Sequence, residues 1–215
     1  MFKDNNTKTI FVSSAYAGSV RYYASMLSSE KVFIDANETG LNKSWSYNHC
    51  RIVGANGVQV LTIPIEKHLF GSGTAMKDIA ISDHGGWRRI HWGALFSAYG
   101  KSPFFEYVEE DLYNLYRKNF RWLLDFNMSL HDLIADFTDI PVKAAVSTAT
   151  GEETFLDYRK KVGGKQPDSL GLRNIEYYQL WKDRYGFVPD MSIFDIMMNI
   201  GRETIIVLSE MNKLR

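Results

Sequence analysis

The sequence predicts an α/β fold in which an N-terminal βαβ unit and a hairpin-containing mixed sheet pack against a helical C-terminal half. Three observations predict this class. A β-rich run, a helical stripe and a second β-rich run follow one another within residues 9–35. An Asn-Gly pair then separates two further β-rich runs. From Trp87 onward, most apolar residues recur with the period of an α-helix.

The βαβ unit consists of a strand over 9–13, a helix that begins near Val20, and a strand over 31–35. Two strands joined by a helix favour a parallel sheet. Asp35 stands at the carboxyl end of the second strand. Ligands of open α/β sheets bind just beyond such strand ends, so we predict that Asp35 is a catalytic residue.

The remaining elements follow from turn and capping signals. Asn56-Gly57 predicts a hairpin between runs 46–53 and 58–65. The further predictions are strands over 77–82 and 141–146, a loop over 163–173, and helices over 87–99, from Ser102 onward, over 121–137, around 175–184 and from Ser192 to about Leu208. We expect one domain over 1–215, with an α/β part over about 1–85 and a mainly helical part over about 86–215.

Composition narrows the function classes. Of the 215 residues, 25 are Lys or Arg and 25 are Asp or Glu, so the formal net charge is zero. A dedicated nucleic-acid binder usually carries a basic surplus, and we therefore expect no nucleic-acid partner. No apolar run approaches the ~20 residues that a membrane span needs, and the N-terminal residues do not resemble a secretory signal. We expect a cytoplasmic protein; the oligomeric state is not determined by the sequence.

Metal and thiol chemistry have little support. No two histidines have the i, i+4 spacing of a helical zinc site, and the single cysteine, Cys50, excludes the multi-cysteine zinc patterns. We predict no metal and no cofactor. On a strand, the neighbours of Cys50 point to the opposite face, so a buried, structural thiol is the expectation.

Two clusters are candidates for binding or chemistry. On the first hairpin strand, Tyr47, His49 and Arg51 share one face that suits an anion, because arginine binds phosphate or carboxylate in a two-pronged way. The alternative is a solvated polar face of an edge strand. The second cluster contains Trp87 and His91, one helical turn apart. Its aromatic residues either pack helix against sheet or frame His91 for catalysis.

The motifs of a known family occur in order along the chain. They are Ser13-Ser14-Ala15-Tyr16 with Tyr22-Tyr23, Asp35, Asn48-His49-Cys50-Arg51-Ile52, Leu61-Thr62-Ile63-Pro64-Ile65, Trp87 to Trp92, Ala98 to Phe105, Asp125-Phe126-Asn127, Tyr178-Gln179 and Phe187 to Asp195, with Asn199 and Gly201. Together they resemble the WbqC-like family, whose members are found among bacterial surface-polysaccharide biosynthesis genes. The resemblance extends over essentially the whole sequence.

The resemblance implies a cytoplasmic protein of O-antigen or capsule assembly that transfers an acyl or aminoacyl group to an amino sugar. With the residues above, it predicts a transferase acting on a nucleotide-activated or lipid-linked sugar. In this hypothesis His91 is the general base and Asp35 orients a hydroxyl or amine. The substrate-binding residues would be Tyr16, Asn48, His49, Arg51 and Trp87.

The alternative hypothesis is a non-catalytic binding or scaffold protein of the same pathway. The two hypotheses differ in one structural expectation. An enzyme that uses Asp35, His91 and Arg51 should bring the three side chains to one cleft, whereas a binding protein need not.

Overall fold

The strands and helices follow one another in the order that the α/β prediction requires. The computed structural model describes residues 9–39, 46–67, 73–141, 144–148, 155–159 and 170–213. The strands are β1 (Thr9–Val12), β2 (Lys31–Asp35), β3 (His49–Gly54), β4 (Gly57–Thr62), β5 (Ala144–Ser147) and β6 (Leu156–Asp157). The helices are α1 (Val20–Leu27), α2 (Trp87–Tyr99), α3 (Glu109–Arg117), α4 (Leu123–Thr138), α5 (Lys182–Tyr185), α6 (Ile193–Ile200) and α7 (Thr204–Met211).

These strands form two sheets. Strands β5, β2, β1 and β6 lie side by side in that order, and every pairing is parallel. The hairpin of β3 and β4 makes a separate antiparallel sheet with Gly54 and Gly57 at its turn. The α/β class, the N-terminal βαβ unit, the hairpin and the helical C-terminal half are therefore confirmed.

The βαβ unit forms because each strand has an apolar centre, Ile10 to Val12 in β1 and Val32 to Ile34 in β2, and because its helix is capped. All four residues of β1 are buried, as expected of a central parallel strand covered on both faces. The Ser19 hydroxyl accepts a hydrogen bond from the Tyr22 amide and so caps α1. Within the described part of the chain, no helix combines the length and the hydrophobicity that crossing a membrane requires.

Two predicted elements are wrong in type. Residues 77–82 do not form a strand of a sheet: Met76–Asp78 is a turn of 3-10 helix, and Ala80 and Ile81 make isolated bridges to Trp122 and Ile65. These single bridges are too few to form a ladder, so the alternating sequence does not produce a strand. The helix expected around 175–184 is reduced to the single turn of α5. The predicted loop over 163–173 lies outside the described residues up to 169.

Two helix boundaries also differ from the prediction. Ser102 does not cap a helix, because its hydroxyl donates back to the Tyr99 carbonyl, and α3 begins only at Glu109. The last helix is divided at Gly201, whose φ is +56°. A Cβ at Gly201 would lie 2.5 Å from the Phe104 ring, so glycine serves both the backbone bend and the close packing.

A buried carboxylate joins the C-terminal helices to the hairpin. Asp195 on α6 is 1% exposed and accepts hydrogen bonds from the Tyr99 hydroxyl (3.1 Å), the Tyr177 hydroxyl (2.7 Å) and the Gln179 amide (2.6 Å). The Val53 amide of β3 donates in turn to the Tyr99 oxygen. Burial raises the pKa of Asp195, while the three donors act in the opposite direction. The network ties four separate parts of the chain together.

Candidate functional site

Polar side chains gather where the parallel strands end. Because β1, β2, β5 and β6 are all parallel, their carboxyl ends meet at one edge of the sheet. Ser13 follows β1, Asp35 ends β2 and Asp157 ends β6. This edge is where ligands of open α/β sheets bind, and it is the candidate site that the fold itself indicates.

Arg159 links two of these carboxylates. Its Nη1 donates to Asp35 Oδ2 at 2.5 Å, while Nε and Nη2 donate to the two oxygens of Asp157 at 3.0 and 2.8 Å. The other Asp35 oxygen accepts from the Asn37 amide at 2.9 Å. Both oxygens of Asp35 thus accept hydrogen bonds within the protein, one of them from Arg159.

Glu38 is the ionisable group of this edge with the most unusual environment. It is 7% exposed, and its Oε1 lies 3.1 Å from the Ser13 hydroxyl. Its Oε2 is buried and accepts no hydrogen bond from the described residues. Burial raises the pKa of Glu38 to about 7, although Ser13 and the Arg159 charge oppose this rise. A carboxyl that exchanges its proton near neutral pH is typical of a general acid or base in an enzyme.

The Ser13 hydroxyl explains how both protonation states of Glu38 are accommodated. Its single proton has two acceptors in reach, Glu38 Oε1 and the Arg159 carbonyl, each at 3.1 Å. When Glu38 is ionised, Ser13 donates to it. When Glu38 is protonated, the carboxyl can donate to the Ser13 oxygen, and Ser13 then donates to the Arg159 carbonyl. The proton therefore moves without leaving a donor unpaired.

The raised pKa of Glu38 predicts a distinctive pH dependence of stability. The folded state binds this proton more tightly than the unfolded chain, whose glutamate has an ordinary pKa near 4.5. The stabilisation is full below about pH 4.5 and is lost as the pH rises through 7, with an expected change of about 2–3 kcal/mol. Glu38→Gln removes it, so the variant should gain stability relative to the wild type between pH 5 and pH 8. Urea denaturation at the two pH values measures the difference.

The matched control for that measurement is Glu176→Gln, since Glu176 forms an exposed ion pair with Lys182. Its stability relative to the wild type should change little between the two pH values. Parallel pH profiles for Glu38→Gln and the wild type would contradict the assignment.

A second, aromatic cluster surrounds His91. The Tyr16 hydroxyl lies 2.9 Å from His91 Nδ1 and 2.5 Å from the Tyr116 hydroxyl, and the Tyr16 ring stacks on the imidazole. The Trp87 ring meets the imidazole edge-on, 5.1 Å between centroids. The structure therefore brings together three of the sequence-predicted residues, Tyr16, Trp87 and His91, and all three are buried.

The environment of His91 favours the neutral imidazole. His91 is 3% exposed, and burial lowers its pKa to about 4, while a hydrogen bond to the Thr62 backbone opposes this shift. The ring is hydrogen-bonded to the Thr62 backbone, and its Nδ1 shares a hydrogen bond with the Tyr16 hydroxyl, which in turn shares one with the Tyr116 hydroxyl. Both ring nitrogens are thus occupied by protein groups. Through these hydrogen bonds His91 connects α2 to β4 and to the loop after β1.

The predicted site residues of the hairpin lie in a third, more exposed environment. Asn48 Nδ2 donates to the Ile63 carbonyl at 3.0 Å, and burial lowers the pKa of the half-buried His49. Arg51 is exposed on the outer face of β3, whereas Cys50 is buried on the inner face, as the strand alternation predicts. Burial raises the pKa of the Cys50 thiol, which is therefore not an activated nucleophile.

The predicted site residues thus lie in three places. Asp35 is at the sheet edge, Tyr16, Trp87 and His91 are in the aromatic cluster, and Asn48, His49 and Arg51 are on the hairpin. Asp35 and His91 share no hydrogen-bond partner among the described residues. Within the part of the chain that the structure describes, no three His, Cys, Asp or Glu side chains are grouped so that they could hold a metal ion.

Sequence reasoning missed Ser13, Glu38, Asp157 and Arg159 as parts of a site. A local signal existed for Glu38, since it lies three residues beyond Asp35, in the turn after a parallel strand. Arg159 had no such signal, because its partners are 124 and 2 residues away and only the sheet brings Asp35 to it.

Comparison with known proteins adds a family. The family model described as the WbqC-like protein family matches residues 14–169, which is more than half of the chain. The chain belongs to the WbqC-like family. The match includes Asp35, Glu38, His91 and Arg159 of this WbqC-like protein. The C-terminal motifs that contributed to the resemblance, from Tyr178 to Gly201, lie beyond the matched range. No curated protein and no solved structure matches this WbqC-like protein.

Proposed function

We propose that this WbqC-like protein is a cytoplasmic group transferase in which Glu38 is the general base. The observation that carries the proposal is a buried carboxyl with a pKa of about 7, at the carboxyl edge of a parallel sheet, one oxygen of which accepts no hydrogen bond from the described residues. A base with this pKa combines adequate basicity with a substantial ionised fraction at neutral pH.

The proposed reaction transfers an acyl or aminoacyl group to a sugar hydroxyl or amine. Glu38 takes the proton of the acceptor as its oxygen or nitrogen forms a bond to the carbonyl carbon of the donor. The bond from that carbon to the leaving group then breaks, and the leaving group departs with its electron pair. The family resemblance supports a nucleotide- or lipid-linked sugar of surface-polysaccharide biosynthesis as the acceptor.

The other predicted residues take supporting roles in this proposal. Asp35, which was predicted to act on the substrate, holds Arg159 beside the base. His91 is a positioning residue that fastens Tyr16 and thereby the loop that carries Ser13. Arg51 remains the predicted phosphate ligand, because its guanidinium is exposed on the hairpin. The substrate-binding roles of Tyr16, Asn48, His49 and Trp87 remain predictions.

The test is turnover by the purified protein with nucleotide-linked amino sugars and acyl or aminoacyl donors, followed by mass spectrometry of the sugar. We expect the rate to rise with pH and to level off above about 7, as Glu38 ionises. Glu38→Gln should lower kcat by about 10²–10⁴-fold, while Glu176→Gln should retain the wild-type rate. Wild-type turnover in folded Glu38→Gln would overturn the proposal.

A non-catalytic binding protein of the same pathway is the second candidate. The observation that favours it is the separation of Asp35 from His91, each with its polar atoms paired within the protein. In this case a nucleotide sugar would raise the melting temperature of the wild type and of Glu38→Gln equally. No modified sugar would form with either protein.

A further inference from the structure

An arginine-lined pocket lies at the N-terminus of α2. It shares no lining residue with the sheet edge or with the aromatic cluster. Its volume is about 400 Å³, and its lining residues are Asp83, Gly86, Arg88, Arg89, Arg117 and Asn119. This volume is within the range of small-molecule sites and exceeds what one phosphate group fills. Two chain segments that are distant in sequence build the pocket.

The charges in the pocket favour an anion. Three arginines face one aspartate, so the lining carries a surplus of two positive charges. Asp83 is ion-paired with Arg88, but the Asp83 side chain is 70% exposed. An exposed pair of this kind contributes little stability, so an incoming dianion can replace Asp83 at small cost.

The Arg88 guanidinium forms the positively charged wall of the pocket nearest to Trp87. Its Nη1 donates to Asp83, while Nε and Nη2 are buried and have no acceptor among the described residues. The guanidinium lies 4.7 Å from the centre of the Trp87 ring, which limits its movement. An anion in the pocket meets the exposed part of the Arg88 side chain, which is 21% exposed, while the buried Nε and Nη2 place positive charge behind it.

The backbone adds to the attraction. Helix α2 has 13 residues, and its N-terminus has no capping side chain and no acidic residue in its first turn. Gly85 and Gly86 precede it with φ of +74° and +59°, and a Cβ at either would meet no atom of the described residues within 4 Å. A 3-10 turn, His84–Gly86, leads into the helix, and the positive end of the helix dipole adds to the charge of the arginines.

We infer that this pocket binds a phosphate-bearing small molecule, with Arg88, Arg89 and Arg117 as its ligands. The inference does not depend on Glu38 or on the proposed transfer reaction. It assigns a role to Arg88 and Arg89, which have none in the proposed transfer reaction.

The experiment is isothermal titration calorimetry with pyrophosphate at constant ionic strength. Arg89→Ala and Arg117→Ala should each weaken binding about tenfold, because each removes a charged hydrogen-bond donor. Asp83→Asn should tighten binding about threefold, since it removes the competing charge. Arg89 and Arg117 are exposed, so both variants should keep the wild-type melting temperature.

The control is Arg184→Ala. Arg184 is exposed and stacks on Tyr185 at 5.4 Å, much as Arg117 stacks on Tyr113 at 5.3 Å, but it does not line the pocket. Pyrophosphate affinity should be unchanged in this variant. Equal weakening by Arg184→Ala, or no binding of pyrophosphate by the wild type at about 10 mM, would overturn the inference.

Discussion

Asp195→Ala is expected to lower the free energy of unfolding by about 3–5 kcal/mol, because it leaves several buried donors without an acceptor. The hydroxyls of Tyr99 and Tyr177 and the amide of Gln179 all donate to this carboxylate, which is 1% exposed. The side chains that lose their partner lie on different segments, so the damage extends from α6 to the hairpin. Urea denaturation at pH 7 measures the change.

Two further variants check the cause. Tyr177→Phe removes one donor and keeps the carboxylate, so the loss should be about 1 kcal/mol. Asp183→Ala changes an exposed aspartate of α5 and should alter the stability by less than about 0.5 kcal/mol. A loss in Asp195→Ala no larger than in Asp183→Ala would show that the network contributes nothing to stability.

His91→Ala is expected to cost about 2–4 kcal/mol of unfolding free energy. The substitution opens a cavity beside Tyr16 and Trp87 and removes the hydrogen bond to the Thr62 backbone. His84→Ala, at an exposed position, is the matched control and should have little effect. Thermal and urea denaturation of the two variants test this directly.

The protonation of His91 gives the same prediction a pH signature. Its pKa is lowered to about 4 in the folded state, whereas an ordinary histidine, as in the unfolded chain, has a pKa near 6.5. The unfolded chain therefore binds the proton more tightly, and the stability from this group is lost as the pH falls from 6.5 towards 4. His91→Gln keeps a donor and an acceptor but has no titrating ring, so its stability should fall less over that range. Identical pH profiles would contradict the buried, neutral imidazole.

His91→Gln also separates the two roles considered for His91. A positioning residue allows partial function when a donor and an acceptor are preserved, whereas a general base does not. We expect the glutamine variant to retain turnover within about tenfold of the wild type, and a loss near 10⁴-fold in a folded protein would restore His91 as the base.

Elements with strong local patterns were predictable, and those that depend on distant partners were not. The stripe of α1 and the hairpin around Asn56-Gly57 require only neighbours along the chain, and both elements are confirmed, although the turn residues are Ala55 and Asn56 and Gly57 begins β4. Residues 77–82 alternate like a strand, but they find only single bridging partners at Ile65 and Trp122. Gly201 divides the last helix because Phe104 packs against it, which no helical periodicity reveals.

The candidate site shows the same division. Asp35 could be placed at the carboxyl end of a parallel strand from the sequence, because strand ends are a property of local pattern and of right-handed βαβ topology. Its partner Arg159 could not, nor could the unusual environment of Glu38, which requires Ser13 and the burial of the turn after β2.

By itself, the sequence determined the α/β class, the order of most elements and the WbqC-like family, since periodicity, turn residues and motif order are all written along the chain. Only the tertiary structure decided which polar groups meet. Folding excluded water from Glu38 and raised its pKa, and it enclosed His91 between Tyr16 and Thr62 and lowered its pKa. Proton affinity depends on solvation and on neighbours in space, which the sequence does not display. The proposed base is therefore Glu38, which the motifs did not suggest, and not His91, which they did.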